Sequence, residues 1–300
     1  MAVRLIALDL DGTLLDSRAC VPQRNIDALA EAVGRGIEIV LVTGRRFDFA
    51  MSVVAAIPLD FTLIVCNGAL IRAKDGRTHA RQLLSRATAR EVLGATRDFR
   101  SSAAVIFDRP RARQVICEKI DFTDPVREKY YQRNREFIAE AMPLESCLTD
   151  AGVDSDPIQV MFTGGVEPMR AVVRLLRPLA PVLRFELTFT EYPARDFALV
   201  DVLAPGCTKG RALADWARLR RISPAEIMAV GDNWNDREML QMAGVPVWMG
   251  NAAPELKSLA RRVTLSNDEC GVAAAIREFA FGEPREVSSL EAGSSQPARK

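Results

Sequence analysis

The sequence predicts an α/β protein with a parallel, doubly wound main sheet and a smaller α+β domain carried as an insert. Three observations predict it. Short runs rich in Val, Ile and Leu recur at residues 5–8, 37–42, 63–65, 227–230 and 245–248, with a weaker sixth at 263–265. Continuous rather than alternating apolarity marks strands buried on both faces, as parallel sheets bury them. Helical patterns separate these runs, and repeated strand–helix–strand order places helices on both faces of one sheet. The middle of the chain breaks this rhythm and reads as mixed strands and helices.

Taken in order, the first strand, 5–8, ends at Asp9. Residues 22–36 then put Ile26, Leu29, Ala30 and Val33 on one helical face. The second strand runs into Thr43-Gly44-Arg45 and the third into Asn67-Gly68. Strands at 69–73 and 78–83 around the turn Lys74-Asp75-Gly76 form a hairpin expected to carry the chain out of the sheet. Within the insert, strands are expected at 103–107, 158–162 and 183–189, and helices at 87–97 and 168–176. The chain returns through a helix at 208–220, which carries Leu213, Trp216, Ala217 and Leu219. A second helix at 237–243 is closed by Gly244. The expected organisation is a Rossmann-like core of residues 1–84 and 191–282 and a cap of residues 85–190. A tail at 283–300, rich in Ser, Glu, Gly and Pro, is expected to be disordered.

Composition narrows the function. The 300 residues carry a formal net charge of +1, so no strong overall field attracts nucleic acid or an anionic membrane. No apolar stretch approaches the roughly 20 residues of a membrane helix. The six cysteines are scattered, without a C-x-x-C and without neighbouring histidines, which argues against zinc and disulfide frameworks. A cytoplasmic protein is expected, a monomer or small homo-oligomer without nucleic-acid or membrane partners. His79 reads as a surface residue. The basic stretch Arg109-Pro110-Arg111-Ala112-Arg113 and the run at 127–135, with Tyr130 and Tyr131, read as solvated faces of the insert.

The polar residues fall where the chemistry of such a sheet is expected. Asp9-Leu10-Asp11-Gly12-Thr13 follows the first strand, Thr43-Gly44-Arg45 the second, Asn67-Gly68 the third. Gly231-Asp232-Asn233-Trp234-Asn235-Asp236 follows a later one. In open parallel sheets ligands bind outside the carboxyl ends of the strands, so four segments deliver carboxylates, hydroxyls and amides to one edge. Gly206-Cys207-Thr208-Lys209-Gly210 adds a lysine at a helix start, where backbone amides also favour an anion.

Asp9-Leu10-Asp11-Gly12-Thr13-Leu14 resembles the first motif of the haloacid dehalogenase superfamily. Thr43, Lys209 and Gly231-Asp232-x-x-Asn235-Asp236 resemble its other three motifs in order and spacing. Asn67-Gly68-Ala69, Lys209-Gly210 and Met249-Gly250-Asn251-Ala252 resemble the Cof-like phosphatase branch, whose cap lies between the second and third motifs. The resemblance implies a hydrolase of phosphate esters. Asp9 is the expected nucleophile. Asp11, two residues along the strand and on the same side, is the expected acid and then base. Thr43 and Lys209 are expected to bind phosphoryl oxygens. Phosphate beside two carboxylates calls for a hard divalent cation, and oxygen ligands suit Mg²⁺. The resemblance implies that Asp9, the Asp11 carbonyl and Asp232 hold it, with Asn235 and Asp236 supporting. Gly12, Gly44, Arg45 and Asn67 are expected substrate contacts, and Trp234 either packs against the cap or touches the substrate.

The expected function is hydrolysis of a small phosphorylated metabolite, with sugar phosphates first, through an aspartyl-phosphate. The alternatives are a sugar phosphomutase and a phospho-ligand sensor without turnover. The insert carries none of the four motifs, so chemistry in the core and selectivity in the cap are expected to be separable.

Overall fold

The computed structural model describes residues 2–120, 128, 131, 132, 134–149 and 156–284. Residues 127, 129, 130 and 133 of the basic run at 127–135, and residues 285–300 of the expected tail, lie outside the described residues.

The larger sheet has seven strands: β1 Leu5–Leu8, β2 Glu38–Val42, β3 Thr62–Val65, β4 Leu70–Ala73, β5 Thr78–Arg81, β12 Ile227–Gly231 and β13 Val245–Trp248. Their order is β13-β12-β1-β2-β3-β4-β5. The first five in that order are parallel, while β4 and β5 join antiparallel at the edge. Alternate residues of each strand enter different cores. Ile6, Leu8, Ile39 and Leu41 pack on one face. Leu5, Ala7, Val40 and Val42 pack on the other, against Leu213 and Trp216 of the helix Lys209–Leu219. Both faces are covered, which is why these strands are apolar without alternation. The chain runs from β1 to β2 and β3 on one side and returns to β12 and β13 on the other. The topological switch point therefore lies between β1 and β12.

The smaller sheet is formed by β6 Ala103–Ile106, β7 Val115–Cys117, β8 Ile138–Glu140, β9 Gln159–Gly164, β10 Glu186–Tyr192 and β11 Phe197–Leu203. Its order is β10-β11-β9-β6-β7-β8. The helices Arg86–Ala95 and Val166–Leu176 cover one face, burying Val92, Leu93, Met169 and Val173 with Val105, Val160 and Val200. Ser85 caps the first of these helices by accepting from the Thr88 amide at 3.1 Å. The other face turns Ala104, Ile106 and Ile158 toward the core.

Several elements differ from the sequence expectation. The hairpin does not leave the sheet; β4 and β5 extend it, because β4 pairs with β3 from Val65↔Leu70 to Thr62↔Ala73. The weak run at 263–265 forms only an isolated bridge, Trp248↔Val263. The strand expected at 183–189 begins at Glu186, because Arg184 takes a left-handed conformation that ends a short preceding helix. Strands β7 and β8 are three residues each, too short to show a periodicity, and escape the pattern. Phe197–Leu203, within the segment assigned to the core, is β11 of the smaller sheet, second from its edge between β10 and β9. His79 lies on exposed β5 with its ring 4.9 Å from that of Trp216.

Candidate active site

The strand ends meet at the switch point. Leu8 lies beside Leu41 of β2 and Val230 of β12, so the residues following each strand share one edge. Asp9 is buried, and so are Thr43, Lys209 and Asp236. Lys209, the first residue of its helix, donates from Nζ to Asp9 Oδ1 at 2.6 Å and to Asp236 Oδ1 at 2.7 Å. Burial alone would lower the Lys209 pKa. The charges of Asp236 and Asp9 outweigh it, so the ammonium is held protonated. Asp9 moves the other way: burial and the Asp236 charge push its carboxyl up, against the pull of Lys209. Burial, together with Asp9 and Asp236, likewise holds Asp232 well above the usual carboxylate range.

Asp9, Asp232 and Asp236 offer carboxylate oxygens that all lie within 4.8 Å of one another. Two buried carboxylates share one ammonium and a third, half-buried, lies beside them, so the site carries surplus negative charge and fits a divalent cation with oxygen ligands. Asp236 is fully engaged. Its Oδ1 accepts from Lys209, and its Oδ2 accepts from the backbone amides of Asp232 at 3.0 Å and Asn233 at 3.1 Å. That leaves Asp9 and Asp232 as the more available ligands. Glycine is demanded beside them. Gly12 has φ +80°, and a Cβ there would stand 2.3 Å from Asp232 Oδ2. Thr13 donates its hydroxyl to Asp232 Oδ1 at 3.2 Å, and Asn251 donates to the Gly12 carbonyl at 2.8 Å.

Asp11 is held differently. Arg45 donates to it through Nε at 2.8 Å and Nη2 at 2.6 Å, with its guanidinium 4.5 Å from the Phe49 ring centre. Burial would lower the Arg45 pKa, but Asp11 outweighs it and the net change is upward. The Thr43 hydroxyl accepts from the Arg45 amide at 3.1 Å. Asn67 sits in a left-handed turn after β3, with φ +51°, and its backbone amide donates to the Thr43 carbonyl at 3.1 Å. A Cβ on Gly44 would lie 3.1 Å from Asn67 Oδ1, and Asn235 Nδ2 donates to that oxygen at 3.4 Å. Two hydrogen-bonded groups result: Asp9, Lys209, Asp232 and Asp236 in one, and Asp11, Arg45, Thr43, Asn67 and Asn235 in the other, with Asp9 two residues from Asp11 and Asn235 next to Asp236 in the chain.

Three residues that sequence reasoning did not single out reach the same region, and a fourth, Arg46, ties the segment after the second motif to the insert. Tyr192 ends β10. Burial and the charges of Asp11, Asp9, Asp232 and Asp236 hold its hydroxyl pKa well above the usual value. Asn233 donates to the Glu191 carbonyl at 3.4 Å, tying the fourth motif to β10. Asp201 of β11 accepts from Asn67 Nδ2 at 2.9 Å. Arg46, following the second motif, is buried against the insert, donating to Gln114 at 2.6 Å and to Asn134. Trp234 is 47% exposed and lines a cleft of about 320 Å³ with Leu187 and Phe189 of β10, Asn67 and Lys209.

The model of the haloacid dehalogenase-like hydrolase family matches residues 6–276, a span that includes every one of these side chains. The chain belongs to that family. Phosphatase YwpJ of Bacillus subtilis is 29% identical over 90% of this chain and 98% of its own length. Putative phosphatase YxeH of the same organism is 30% identical over 93% and 99%. Pyridoxal phosphate phosphatase YbhA of Escherichia coli is 26% identical over 91% and 97%. A haloacid dehalogenase-like hydrolase from B. subtilis superposes with a TM-score of 0.75 at 26% identity, covering 92% of this chain and all of that one. As a haloacid dehalogenase-like hydrolase of the Cof-like branch, the protein is a phosphatase. Among its described residues, no helix is long and apolar enough to cross a membrane.

Proposed function

We propose that this phosphatase is Mg²⁺-dependent and hydrolyses a small phosphorylated metabolite, sugar phosphates first, through an aspartyl-phosphate on Asp9. The observation that carries the reading is the set of buried Asp9, Lys209 and Asp236 beside half-buried Asp232 at the switch point, 2.6–2.7 Å apart where Lys209 meets its two partners. A solvated strand end would not bury two carboxylates against one lysine with a third beside them. The pyridoxal phosphate phosphatase among the relatives supports a small phosphorylated substrate.

An Asp9 carboxylate oxygen attacks phosphorus, and the bond from phosphorus to the leaving oxygen breaks. Asp11 protonates the leaving alcohol. It then takes a proton from water as that water attacks phosphorus, which releases phosphate and restores Asp9. Lys209 and the Thr43 hydroxyl stabilise charge on the phosphoryl oxygens. Arg45 has to yield at least one of its bonds to Asp11 for this exchange, and phosphoryl oxygens are the natural alternative acceptors for its fork. Asp9, Asp232 and the Asp11 carbonyl would hold Mg²⁺. Bound there, it offsets the combined negative charge of carboxylates and phosphate.

The test is phosphate release with Mg²⁺ across sugar phosphates, pyridoxal 5′-phosphate and flavin mononucleotide. At least one is expected to release phosphate, and Asp9→Asn is expected to release none while remaining folded. Isomerised phosphate without free phosphate would replace this reading with a phosphomutase. Binding without any turnover would replace it with a sensor.

A further inference from the structure

The strand β11 reads Phe197-Ala198-Leu199-Val200-Asp201-Val202-Leu203, and its one charged residue is 4% exposed. A carboxylate there is expensive: burial pushes it up to about 7, against the pull of the Asn67 amide. An apolar residue would fill the position at lower cost, so the carboxylate serves a purpose other than packing. Its two oxygens have two partners. Gln159 Nε2 of β9 donates to Oδ1 at 2.8 Å, and Asn67 Nδ2 donates to Oδ2 at 2.9 Å. The first partner belongs to the smaller sheet and the second to the core turn that abuts Thr43, Gly44 and Asn235.

We infer that Asp201 is a positioning residue for the phosphatase reaction: from the insert's sheet it fixes the Asn67 amide, and through Asn67 it keeps the second- and fourth-motif loops in register. An amide side chain can be turned either way round. With Nδ2 committed to an acceptor-only carboxylate, Oδ1 is committed to the opposite side, where Asn235 Nδ2 donates to it. The backbone of Asn67 is meanwhile tied to the Thr43 carbonyl. One buried carboxylate therefore decides which atom of the Asn67 amide faces Asn235, while the Asn67 backbone holds Thr43. The insert carries none of the four motifs, yet it supplies part of what holds two of them. By this inference the smaller sheet contributes to chemistry as well as to selectivity, so removing it costs both.

The same geometry says which substitution is tolerated. Gln159 Oε1 is buried and has no hydrogen-bond partner. In Asp201→Asn, the new carbonyl accepts from Asn67, and the new NH₂ donates to Gln159 once that amide turns over and offers Oε1. Asp201→Leu has no acceptor and leaves Asn67 Nδ2 buried and unpaired, free to reverse.

The inference rests on the proposed phosphatase reaction, so two readouts are paired. The first is kcat and KM for an activated aryl phosphate with Mg²⁺. Asp201→Leu is expected to lose about ten- to a hundredfold, mainly in kcat, while remaining folded at the assay temperature. Asp201→Asn is expected to stay within about threefold of the parent. The second readout needs no turnover: hydrogen exchange of the Asn67 side-chain NH₂, assigned by its disappearance in Asn67→Ser. It is expected to be slow in the parent and in Asp201→Asn, and fast in Asp201→Leu. Full kcat in a folded Asp201→Leu protein, or exchange at the solvent rate in the parent, would overturn the inference. If Asp201→Leu does not fold, the parent and Asp201→Asn exchange rates decide it. A parent that hydrolyses nothing defeats the functional reading, while the exchange measurement still decides whether Asp201 holds Asn67.

Discussion

Arg45 grips Asp11 through two parallel hydrogen bonds, Nε to Oδ2 at 2.8 Å and Nη2 to Oδ1 at 2.6 Å. A fork of this kind fixes both the place and the plane of the carboxylate. Arg45→Leu is expected to lower kcat for metabolite hydrolysis by roughly ten- to a hundredfold, because Asp11 loses its orientation and the phosphoryl group loses a cation. Arg45→Lys should recover only part of this, since an ammonium cannot form the fork. Steady-state kinetics on the best substrate check it, and full recovery by lysine would show that charge alone is needed.

Gly12 tests the fit of the Asp232 loop. Its φ of +80° and the 2.3 Å gap between a Cβ and Asp232 Oδ2 leave no room for a side chain. Gly12→Ala is expected to displace Asp232 and to raise the Mg²⁺ concentration for half-maximal activity at least about tenfold. The backbone strain alone would cost about 1 kcal/mol of stability. A Mg²⁺ titration of activity reads the first effect and a thermal melt the second.

The cation itself should be visible in stability. A ligand that binds only the folded state raises the midpoint as its concentration exceeds Kd. Mg²⁺ is expected to raise the thermal midpoint of the parent and to leave that of Asp232→Asn nearly unchanged. Excess chelator should abolish turnover. Ca²⁺, with longer bonds and higher coordination, should bind but support little activity. Burial and mutual repulsion raise the Asp9 and Asp232 pKa values, so binding the cation releases protons. The Mg²⁺-induced shift should therefore grow as pH rises from 5 to 8.

Asp201 gives a pH dependence of opposite sign to the usual salt-bridged acid. Its carboxyl is raised from 3.8 to about 7 on folding. Between those values the folded state binds more protons than the unfolded state, so stability falls as pH rises through the window. The loss has an upper bound on the order of 4 kcal/mol by linkage. Asp201→Asn removes the titration. Its stability relative to the parent should climb between about pH 4 and pH 7 and level off above pH 8. Urea unfolding of both proteins at four pH values tests this, and a constant difference would refute it.

The residues at the strand ends were legible because each lies in a local unit. Asp9, Thr43 and Asp232 directly follow apolar runs whose burial on both faces marks them as central parallel strands, and strand-end placement is then a matter of counting. Thr208 and Lys209 likewise start a helix that the sequence announces, with the Thr208 hydroxyl accepting from the Arg211 amide at 3.1 Å. The smaller sheet was less legible. β7 and β8 are three residues each, and β11 has its apolar run interrupted by Asp201. Pairing with distant strands, not local pattern, makes them strands.

By itself the sequence determined the parallel core, the inserted second unit and the set of side chains delivered to the carboxyl edge, since each follows from residue type and short-range periodicity. Only the tertiary structure decided which of those side chains meet. Lys209 reaches Asp9 across 200 positions of chain, and Asp201 reaches Asn67 across 134. Such contacts depend on strand order and on how the two sheets face each other. No local pattern encodes them, because the free energy that selects them is the burial of two whole apolar faces and not a property of the residues that end up touching.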